Sequence, residues 1–394
     1  MHDAIAEMRR VADEFPDRVL IGEIYLPLER LVAYYGRDLA GMHLPFNFSL
    51  LSTSWHAPSI ARLIADYEAA LPAGGWPNWV LSNHDRPRIA SRVGPDQARI
   101  AAMLLLTLRG TPTVYYGDEI AMKEVAIAPA HVRDPLGKNV PGRGLGRDGC
   151  RTPMQWDSTT HAGFSSVEPW LPLGGALDQD NVLAQRSDNT SVYRLYRRLI
   201  DLRRKRPALS LGRYGSVRAD GNLLVFTREH EREQLFVALN FASAPVAASL
   251  PSSEWIGRLL VSSAGDRADE PVRGGLNLRA HEGAIVELLR WHGVALIPSI
   301  LRAPLSRGWL LARAHRNVVI VALANSRAGY ITADLRPTRK NLLADGGRAI
   351  HFGKENYRAK AKRFAAAVTF TGAGQQDVVR GEPSREPEEQ SQDS

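Results

Sequence analysis

Two acidic positions follow short apolar stretches of this sequence, a placement typical of catalytic side chains. Glu23 comes directly after the stretch VLIG at 19–22, and the pair His84-Asp85 comes shortly after WVL at 79–81. In enzymes built on a barrel of parallel strands, the catalytic groups lie at the carboxyl ends of the strands. Two carboxylates at neighbouring strand ends are the groups that cleave glycosidic bonds. The spacing therefore indicates a site that contains Glu23 and Asp85.

The elements that would position these residues alternate between strand and helix over the first 120 residues. Strands are predicted at 19–22, 41–48, 79–81 and 113–116, with helices at 2–14, 28–35, 58–70 and 97–108. This order is typical of a parallel α/β architecture. A closed eight-stranded barrel needs about 250 residues of such alternation, and roughly half of that is present. From 209 to 289, short alternating runs separated by turn residues predict a small antiparallel β-domain.

The composition excludes several classes of protein. Hydrophobic residues make up 44% of the 394 and charged residues 23%, as in an ordinary soluble globular protein. No apolar stretch reaches about 18 residues, so no membrane-spanning helix is predicted. The N-terminus lacks the features of a signal peptide, and the single cysteine, Cys150, excludes an internal disulfide. We therefore expect a cytoplasmic protein with no membrane partner.

The net charge of +8 is concentrated at one end of the chain. Residues 291–394 contain 16 Lys and Arg against 9 Asp and Glu, a net of +7, and residues 1–290 contain 34 against 33, a net of +1. No basic run carries interleaved aromatic residues, so no nucleic-acid partner is expected. Residues 291–394 form an unassigned basic tail. Within it a strand is predicted at 318–323, and the polar composition predicts disorder from about 382.

Four blocks, in order along the chain, resemble the α-amylase superfamily of glycoside hydrolases, and in particular its α-glucosidase (oligo-1,6-glucosidase-like) branch. They are LIGEIYLP at 20–27, WPNWVLSNHDRPR at 76–88, LRGTPTVYYGDE at 108–119 and GRDGCRTPMQWD at 146–157. The resemblance runs from about residue 2 to about residue 289. It implies that residues 1–205 are the C-terminal half of a (β/α)8 TIM barrel, with strands five to eight, and that residues 206–290 are the antiparallel β-domain.

The resemblance also implies roles for individual residues. Glu23 stands in the place of the general acid/base, and Asp85 in that of the carboxylate that stabilises the positively charged transition state. His84 would donate a hydrogen bond to a sugar hydroxyl, and Arg151, favoured over Arg147, would reach the sugar subsite. The implied substrate is a small α-glucoside or oligosaccharide, and the resemblance implies no cofactor and no metal ion.

Structural interpretations of the same residues stand beside these roles. Glu23 could cap a helix or form a salt bridge, and the arginines could join the long loop to its surroundings through ion pairs. Taken alone, the Asn-His-Asp sequence at 83–85 is typical of a turn with satisfied polar side chains. No reactive role is expected for Cys150, and packing or structural roles are expected for several further residues: Trp76, Arg88, Asp118, Glu119, Trp156 and Trp170.

The family draws its nucleophilic aspartate from a Gly-x-Arg-x-Asp type block after an earlier strand, and no such block occurs in this sequence. We therefore expect an N-terminally truncated member that is inactive as an isolated chain. An exposed half-barrel edge would favour weak solubility or self-association. Two alternatives remain open, which are a non-catalytic relative that binds a sugar or a partner, and a transglycosylating enzyme like a sucrose isomerase or trehalose synthase.

Overall fold

Short strands and longer helices alternate in the first part of the chain. The computed structural model describes residues 1–290, 311–314, 318–323 and 332–334, and residues 1–290 belong to one compact unit. The α-helices up to residue 107 are α1 (His2–Asp13), α2 (Leu28–Leu31), α3 (Ser49–Ser52), α4 (Ala57–Ala70), α5 (Ile89–Val93) and α6 (Pro95–Thr107). The strands between them are β1 (Ile21–Gly22), β2 (Leu44–Pro45), β3 (Asn78–Val80) and β4 (Thr111–Thr113).

These four strands form two parallel pairs, β1 with β2 and β3 with β4. Three expectations about them were wrong. The first strand was predicted over 19–22, but β1 spans only Ile21–Gly22, and Ile21 is 41% exposed. The strand predicted at 41–48 is confined to Leu44–Pro45. The fourth was expected between Pro112 and Gly117, but β4 contains Pro112 opposite Trp79. A proline fits there because β4 pairs with β3 alone among the described strands, so its lost amide hydrogen can face away.

The longer helices begin and end where local chemistry requires. Gly94 has a positive φ of 83° and Pro95 opens α6, as the fixed proline torsion favours in a first turn. His56 caps α4 through the amide of Ser59.

Beyond a loop region, the later helices are α7 (Pro135–Asn139), α8 (Val182–Ser187), α9 (Val192–Lys205) and α10 (Pro207–Ser210). Short 3-10 helices occupy 32–35, 37–39, 118–120, 129–131 and 148–150.

An eight-stranded antiparallel sheet follows α10, as the alternating pattern predicted. Its strand order is β5-β6-β7-β12-β9-β10-β11-β8. The strands are β5 (Arg213–Asp220), β6 (Leu223–His230), β7 (Glu233–Asn240), β8 (Val246–Ser249), β9 (Trp255–Ser262), β10 (Pro271–Arg273), β11 (Gly275–Leu278) and β12 (Gly283–Arg290). The central strands are buried on both faces, which matches their continuous apolar sequences.

Three further strands lie in the basic tail. They are β13 (Leu311–Ala314), β14 (Val318–Leu323) and β15 (Thr332–Asp334), and they form an antiparallel sheet. The predicted strand at 318–323 is confirmed with the same bounds. The disorder predicted from about 382 falls outside the described residues. Among the described helices, none combines the length and the apolar character that a membrane span requires.

Helix α6 is the centre of the main hydrophobic core. Ten of its thirteen residues are buried. Ile100, Met103 and Leu104 share one apolar cluster with Phe226 and Leu239 of the antiparallel sheet. A helix that is apolar on all sides must be covered on all sides. The helices and the sheet of residues 1–290 are therefore joined by a common core. The predicted boundary between residues 205 and 206 remains a prediction about domain organisation.

Two buried arginines bind the carboxyl end of α6. Arg203 donates to the carbonyls of Leu106 (2.9 Å) and Leu108 (3.0 Å), and Arg228 donates to the carbonyl of Thr107. The last carbonyls of a helix have no partner within the helix, and the helix dipole favours positive charge at this end. Burial lowers the pKa of Arg203 to about 9 and that of Arg228 to about 10. Both side chains thus satisfy acceptors that the core would otherwise leave unbonded.

A second buried polar cluster lies beside the 3-10 helix at 118–120. Arg88 is fully buried, with its guanidinium stacked over the rings of Tyr115 and Tyr116, and it donates to the carbonyl of Tyr116. Asp118 is 2% exposed, and the hydroxyl of Ser82 and the charges of Arg88 and Arg92 lower its pKa less than burial raises it. Burial raises the pKa of Asp118 to about 7. Glu119 accepts from the amide of Gly117 at 2.7 Å.

The first prediction concerns Arg228. Replacement with methionine leaves the carbonyls of Thr107 and Gly212 without their donor in the core. We expect the free energy of unfolding, measured by urea titration, to fall by about 2 kcal/mol. Arg218 is an exposed arginine of strand β5, and Arg218→Met should change stability by less than about 0.5 kcal/mol. Equal effects of the two variants would contradict the assigned role.

The second prediction concerns Asp118. Its carboxyl loses a proton near 3.8 in the unfolded chain but near 7 in the folded chain, so stability falls as the pH rises between these values. Asp118→Asn removes this dependence. The free energy of unfolding of the variant minus that of the wild type should therefore increase by about 2 kcal/mol from about pH 5 to about pH 7. Parallel stability curves, measured by urea titration across this range, would show that Asp118 is not protonated in the fold.

Candidate active site

Glu23 and the pair His84-Asp85 stand at the carboxyl ends of strands from the two parallel pairs. Glu23 directly follows β1, and its side chain is exposed. His84 and Asp85 come four and five residues after the end of β3, in a turn that Asn83 organises. The amide of Asp85 donates to the side-chain oxygen of Asn83 at 3.0 Å. This contact is an Asx turn, which fixes the backbone at Asp85.

The structure brings the three predicted side chains together. One carboxylate oxygen of Glu23, one of Asp85 and one ring nitrogen of His84 lie within 4.8 Å of one another. Asn83 connects the two strand ends, because its side-chain nitrogen donates to the hydroxyl of Tyr25 at 2.7 Å. The ring of Tyr25 stacks on Phe48 with centroids 4.2 Å apart. The pKa of Tyr25 is raised, chiefly by burial, and the nearby charges of Asp85 and Glu23 raise it further.

Two arginines bind one oxygen of Asp85. Arg147 and Arg151 each donate to Oδ1 at 3.0 Å, and His84 Nε2 lies 3.6 Å from the same atom. Within the described part of the chain, no hydrogen bond reaches Oδ2. The two oxygens therefore differ in their hydrogen bonds, and the Asp85 side chain is one-quarter exposed. This arrangement fixes the carboxylate through one of its oxygens, and a fixed carboxylate can stabilise a cationic transition state.

The loop that carries both arginines is joined to the His84 segment by further contacts. Arg151 Nε donates to the carbonyl of His84 at 2.8 Å. The thiol of Cys150 donates to the same carbonyl at 3.4 Å and to the carbonyl of Arg147 at 3.1 Å. Burial raises the pKa of Cys150 to about 11, which keeps the thiol protonated and able to donate.

The sequence identified some of these residues and missed others. It favoured Arg151 over Arg147, whereas the structure places both guanidinium groups on Asp85. Their spacing of four residues in one loop was the available signal. Asp134, which binds Arg147 from the other side, was missed because it lies far from Asp85 in the sequence. Tyr25 was missed as well, although it follows Glu23 by two residues.

Of the tryptophans for which packing roles were expected, only one packs in that way. Trp76 donates to Thr111 Oγ1 at 3.0 Å, and the guanidinium of Arg109 lies over its ring. Trp156 is 50% exposed and Trp170 is 71% exposed. These two rings therefore do not fill a core in the described part of the chain.

The cluster of two carboxylates and an imidazole also offers three donor atoms to a divalent cation. Two guanidinium groups already occupy Asp85 Oδ1, and their positive charge opposes a cation at that atom. The arginines therefore disfavour a metal ion at Oδ1, and the same three donor atoms can also form hydrogen bonds with a polar ligand.

Known proteins resemble this chain. An α-glucosidase named "Probable alpha-glucosidase" from Rhizobium meliloti (strain 1021) is 35% identical over 257 residues, which are 63% of this chain and 46% of that protein. The amino acid transporter heavy chain SLC3A1 of Homo sapiens is 32% identical over 305 residues, 73% of this chain and 43% of that protein. The chain spans about half the length of the curated relatives it matches.

A solved structure of an alpha-glucosyl transfer enzyme, XgtA, superposes with a TM-score of 0.66 at 32% identity, covering 73% of this chain and 54% of that one. A family model described as "Alpha amylase, catalytic domain" matches residues 1–212, which is more than half of the 394 residues. The site residues 23, 84, 85, 147 and 151 all fall within the matched segment. The chain belongs to the alpha-amylase catalytic-domain family.

Proposed function

We propose that this chain carries part of the active site of a retaining α-glucosidase that hydrolyses terminal α-glucosidic bonds in small oligosaccharides. The observation that carries the proposal is the close approach of Glu23 and Asp85 at the ends of two strands, with Asp85 held by two arginines. The named α-glucosidase relatives support the same activity. In this proposal residues 1–205 supply strands five to eight of a TIM barrel, and residues 206–290 the β-domain.

The chemistry assigns one role to each side chain. Glu23 protonates the glycosidic oxygen as the bond breaks and later removes a proton from the attacking water. Asp85 stabilises the positive charge that develops on the sugar ring. His84 donates a hydrogen bond to a hydroxyl of the same sugar, and Arg151 and Arg147 keep Asp85 in place.

The nucleophile needs a separate argument. Retaining enzymes place it about 5 Å from the acid, and Asp85 satisfies that distance. Two guanidinium groups on Oδ1, however, withdraw electron density from the Asp85 carboxylate and weaken it as a nucleophile. No other carboxylate of the described residues joins the cluster. We therefore assign Asp85 to charge stabilisation and propose that the 394-residue chain alone does not complete the reaction.

The third prediction tests the activity. The chain alone should release no 4-nitrophenol from 4-nitrophenyl α-D-glucoside. The same chain, fused behind a segment of a related α-glucosidase that carries the Gly-x-Arg-x-Asp type block, should release it. In the fusion, Glu23→Gln and Asp85→Asn should each lower kcat by about a thousandfold, because each removes a group that acts in the transition state. The exposed carboxyl of Glu29 provides the matched control, and Glu29→Gln should change kcat by less than about twofold.

Two outcomes would contradict parts of this proposal. Hydrolysis by the isolated chain that is lost in Asp85→Ala would make Asp85 the nucleophile. A fusion that folds and binds glucose in calorimetry without turnover would favour a non-catalytic sugar-binding protein. A partner-binding role is the alternative that the transporter heavy chain supports.

Transfer of the glucosyl group to another sugar is a second candidate function. The resemblance to an alpha-glucosyl transfer enzyme favours it, as does the resemblance to a trehalulose synthase. Hydrolysis and transfer share Glu23 and Asp85 and differ in whether water or a sugar attacks the intermediate. Analysis of the products that the fusion forms from sucrose would separate them, since transfer gives isomeric disaccharides and hydrolysis gives free glucose and fructose.

The fourth prediction concerns self-association. Helix α1 buries Arg9, which donates to the carbonyls of Leu39 and Gly41, while Met8 (54%) and Val11 (51%) are exposed. Apolar side chains on an exposed face favour association. We expect the wild-type chain to form oligomers whose mass in light scattering rises with concentration. The variant Met8→Lys/Val11→Glu should remain monomeric with an unchanged melting temperature. A wild-type chain that stays monomeric at all concentrations would contradict the expected self-association.

A further inference from the structure

A buried carboxylate outside the Glu23–Asp85 pair, that of Asp134, binds Arg147, which is one of the two arginines on Asp85. The side chain of Asp134 is 0% exposed. Burial of a charged carboxylate is costly unless several donors reach it. Arg147 supplies three of them, since its Nε (2.9 Å), its Nη2 (2.8 Å) and its backbone amide (2.8 Å) all donate to Asp134. These hydrogen bonds hold the pKa of Asp134 well below its usual range.

The position of Asp134 is itself fixed by its own loop. Its backbone amide donates to Asp148 at 2.9 Å, and the amide of Arg133 donates to the same carboxylate at 2.6 Å. The side chain of Asp134 also caps helix α7 through the amide of Leu136 at 3.3 Å. The segment before α7 and the segment that begins at Arg147 therefore bind each other through two acids. Asp134, before α7, accepts hydrogen bonds from Arg147, and Asp148 accepts them from the amides of Arg133 and Asp134.

The guanidinium of Arg147 is planar and rigid, so two fixed nitrogens determine the position of the third. With Nε and Nη2 on Asp134, only Nη1 is left for Asp85, and it binds Oδ1 alone at 3.0 Å. A guanidinium with no other anionic partner would prefer to bind both oxygens of a carboxylate. Asp134 prevents that second contact, and among the described residues no hydrogen bond reaches Asp85 Oδ2.

We propose that Asp134 is a positioning residue that keeps Arg147 on a single oxygen of Asp85 and thereby preserves the other oxygen for the sugar. The inference rests on the function proposed above. It adds Asp134 to the residues on which sugar binding depends, and it predicts how Arg147 moves when residue 134 loses its charge. Without the anionic partner at 134, Arg147 rotates onto both oxygens of Asp85 and competes with the ligand.

The fifth prediction follows from this competition. The probe is 1-deoxynojirimycin, a piperidine analogue of glucose, and its Kd for the full 394-residue chain is measured by calorimetry. Asp134→Asn should raise the Kd by about tenfold or more, since it costs the ligand a hydrogen bond to a charged oxygen. The double variant Asp134→Asn/Arg147→Met removes the competing guanidinium while Arg151 still holds Oδ1. Its Kd should return to within about threefold of the wild-type value.

The recovery in the double variant separates positioning from general structural damage, because a second substitution in a damaged loop would weaken binding further. Wild-type affinity in Asp134→Asn, or a double variant that binds no better than the single one, would overturn the proposal. Melting curves of each variant show whether the loop change has unfolded the chain. If Asp134→Asn does not fold, Asp134→Glu takes its place. It retains the charge at a shifted position, and it should raise the Kd in the same direction by a smaller factor.

A second measurement does not depend on sugar binding. If the wild-type chain fails to bind the probe, the proposed function loses its support. A crystal structure of the Asp134→Asn variant still tests the positioning role. The proposal requires an Arg147 nitrogen within about 3 Å of each oxygen of Asp85 in that variant. An Arg147 side chain that remains on Oδ1 alone would refute it.

Discussion

The buried carboxyl end of helix α6 is the constraint on which the rest of residues 1–290 depends. Its last carbonyls lie inside the protein, where water cannot bond to them, and Arg203 and Arg228 take the place of water. Because Arg228 belongs to strand β6, the antiparallel sheet is anchored to the helix by charge as well as by apolar packing. The chain leaves α6 directly into β4, and β4 pairs with β3, whose end carries His84 and Asp85.

A short series of hydrogen bonds connects the end of α6 to strand β3, which leads to the site. The indole of Trp79 on β3 donates to the carbonyl of Arg109 at 2.7 Å, just beyond α6. The guanidinium of Arg109 in turn binds Glu68 of helix α4 at 2.9 Å. Helix α4, the segment after α6 and strand β3 are therefore connected, and these contacts support the polar groups that follow β3. As a member of its family, the chain combines parallel strands of a TIM-barrel domain with a β-domain.

Much of this arrangement could be predicted from the sequence. The continuous apolar run at 97–108 predicted α6 within two residues of its observed bounds, because a helix buried on all sides needs no polar face. The alternating runs after 209 predicted the antiparallel sheet. Strand β4 was misplaced because Pro112 was treated as a boundary, although an unpaired strand edge accepts proline. The turn at His84-Asp85 was visible because it follows an apolar strand. Asp134 was not, and Arg147 was named only as the less favoured of two arginines, because side-chain contacts between long loops do not follow from the sequence pattern.

The order of strands in the antiparallel sheet has a consequence for synthesis of the chain. Strand β12 lies between β7 and β9 at the centre of the sheet, yet it is the last of the eight to leave the ribosome. Strands β5, β6 and β7 can form successive hairpins as they emerge. Strand β7 then waits with one unpaired edge while some forty residues are added, at a few seconds for that length. Until β12 is synthesised, the free edge of β7 can pair with another chain. The pairing of β12 with β7 ends that period.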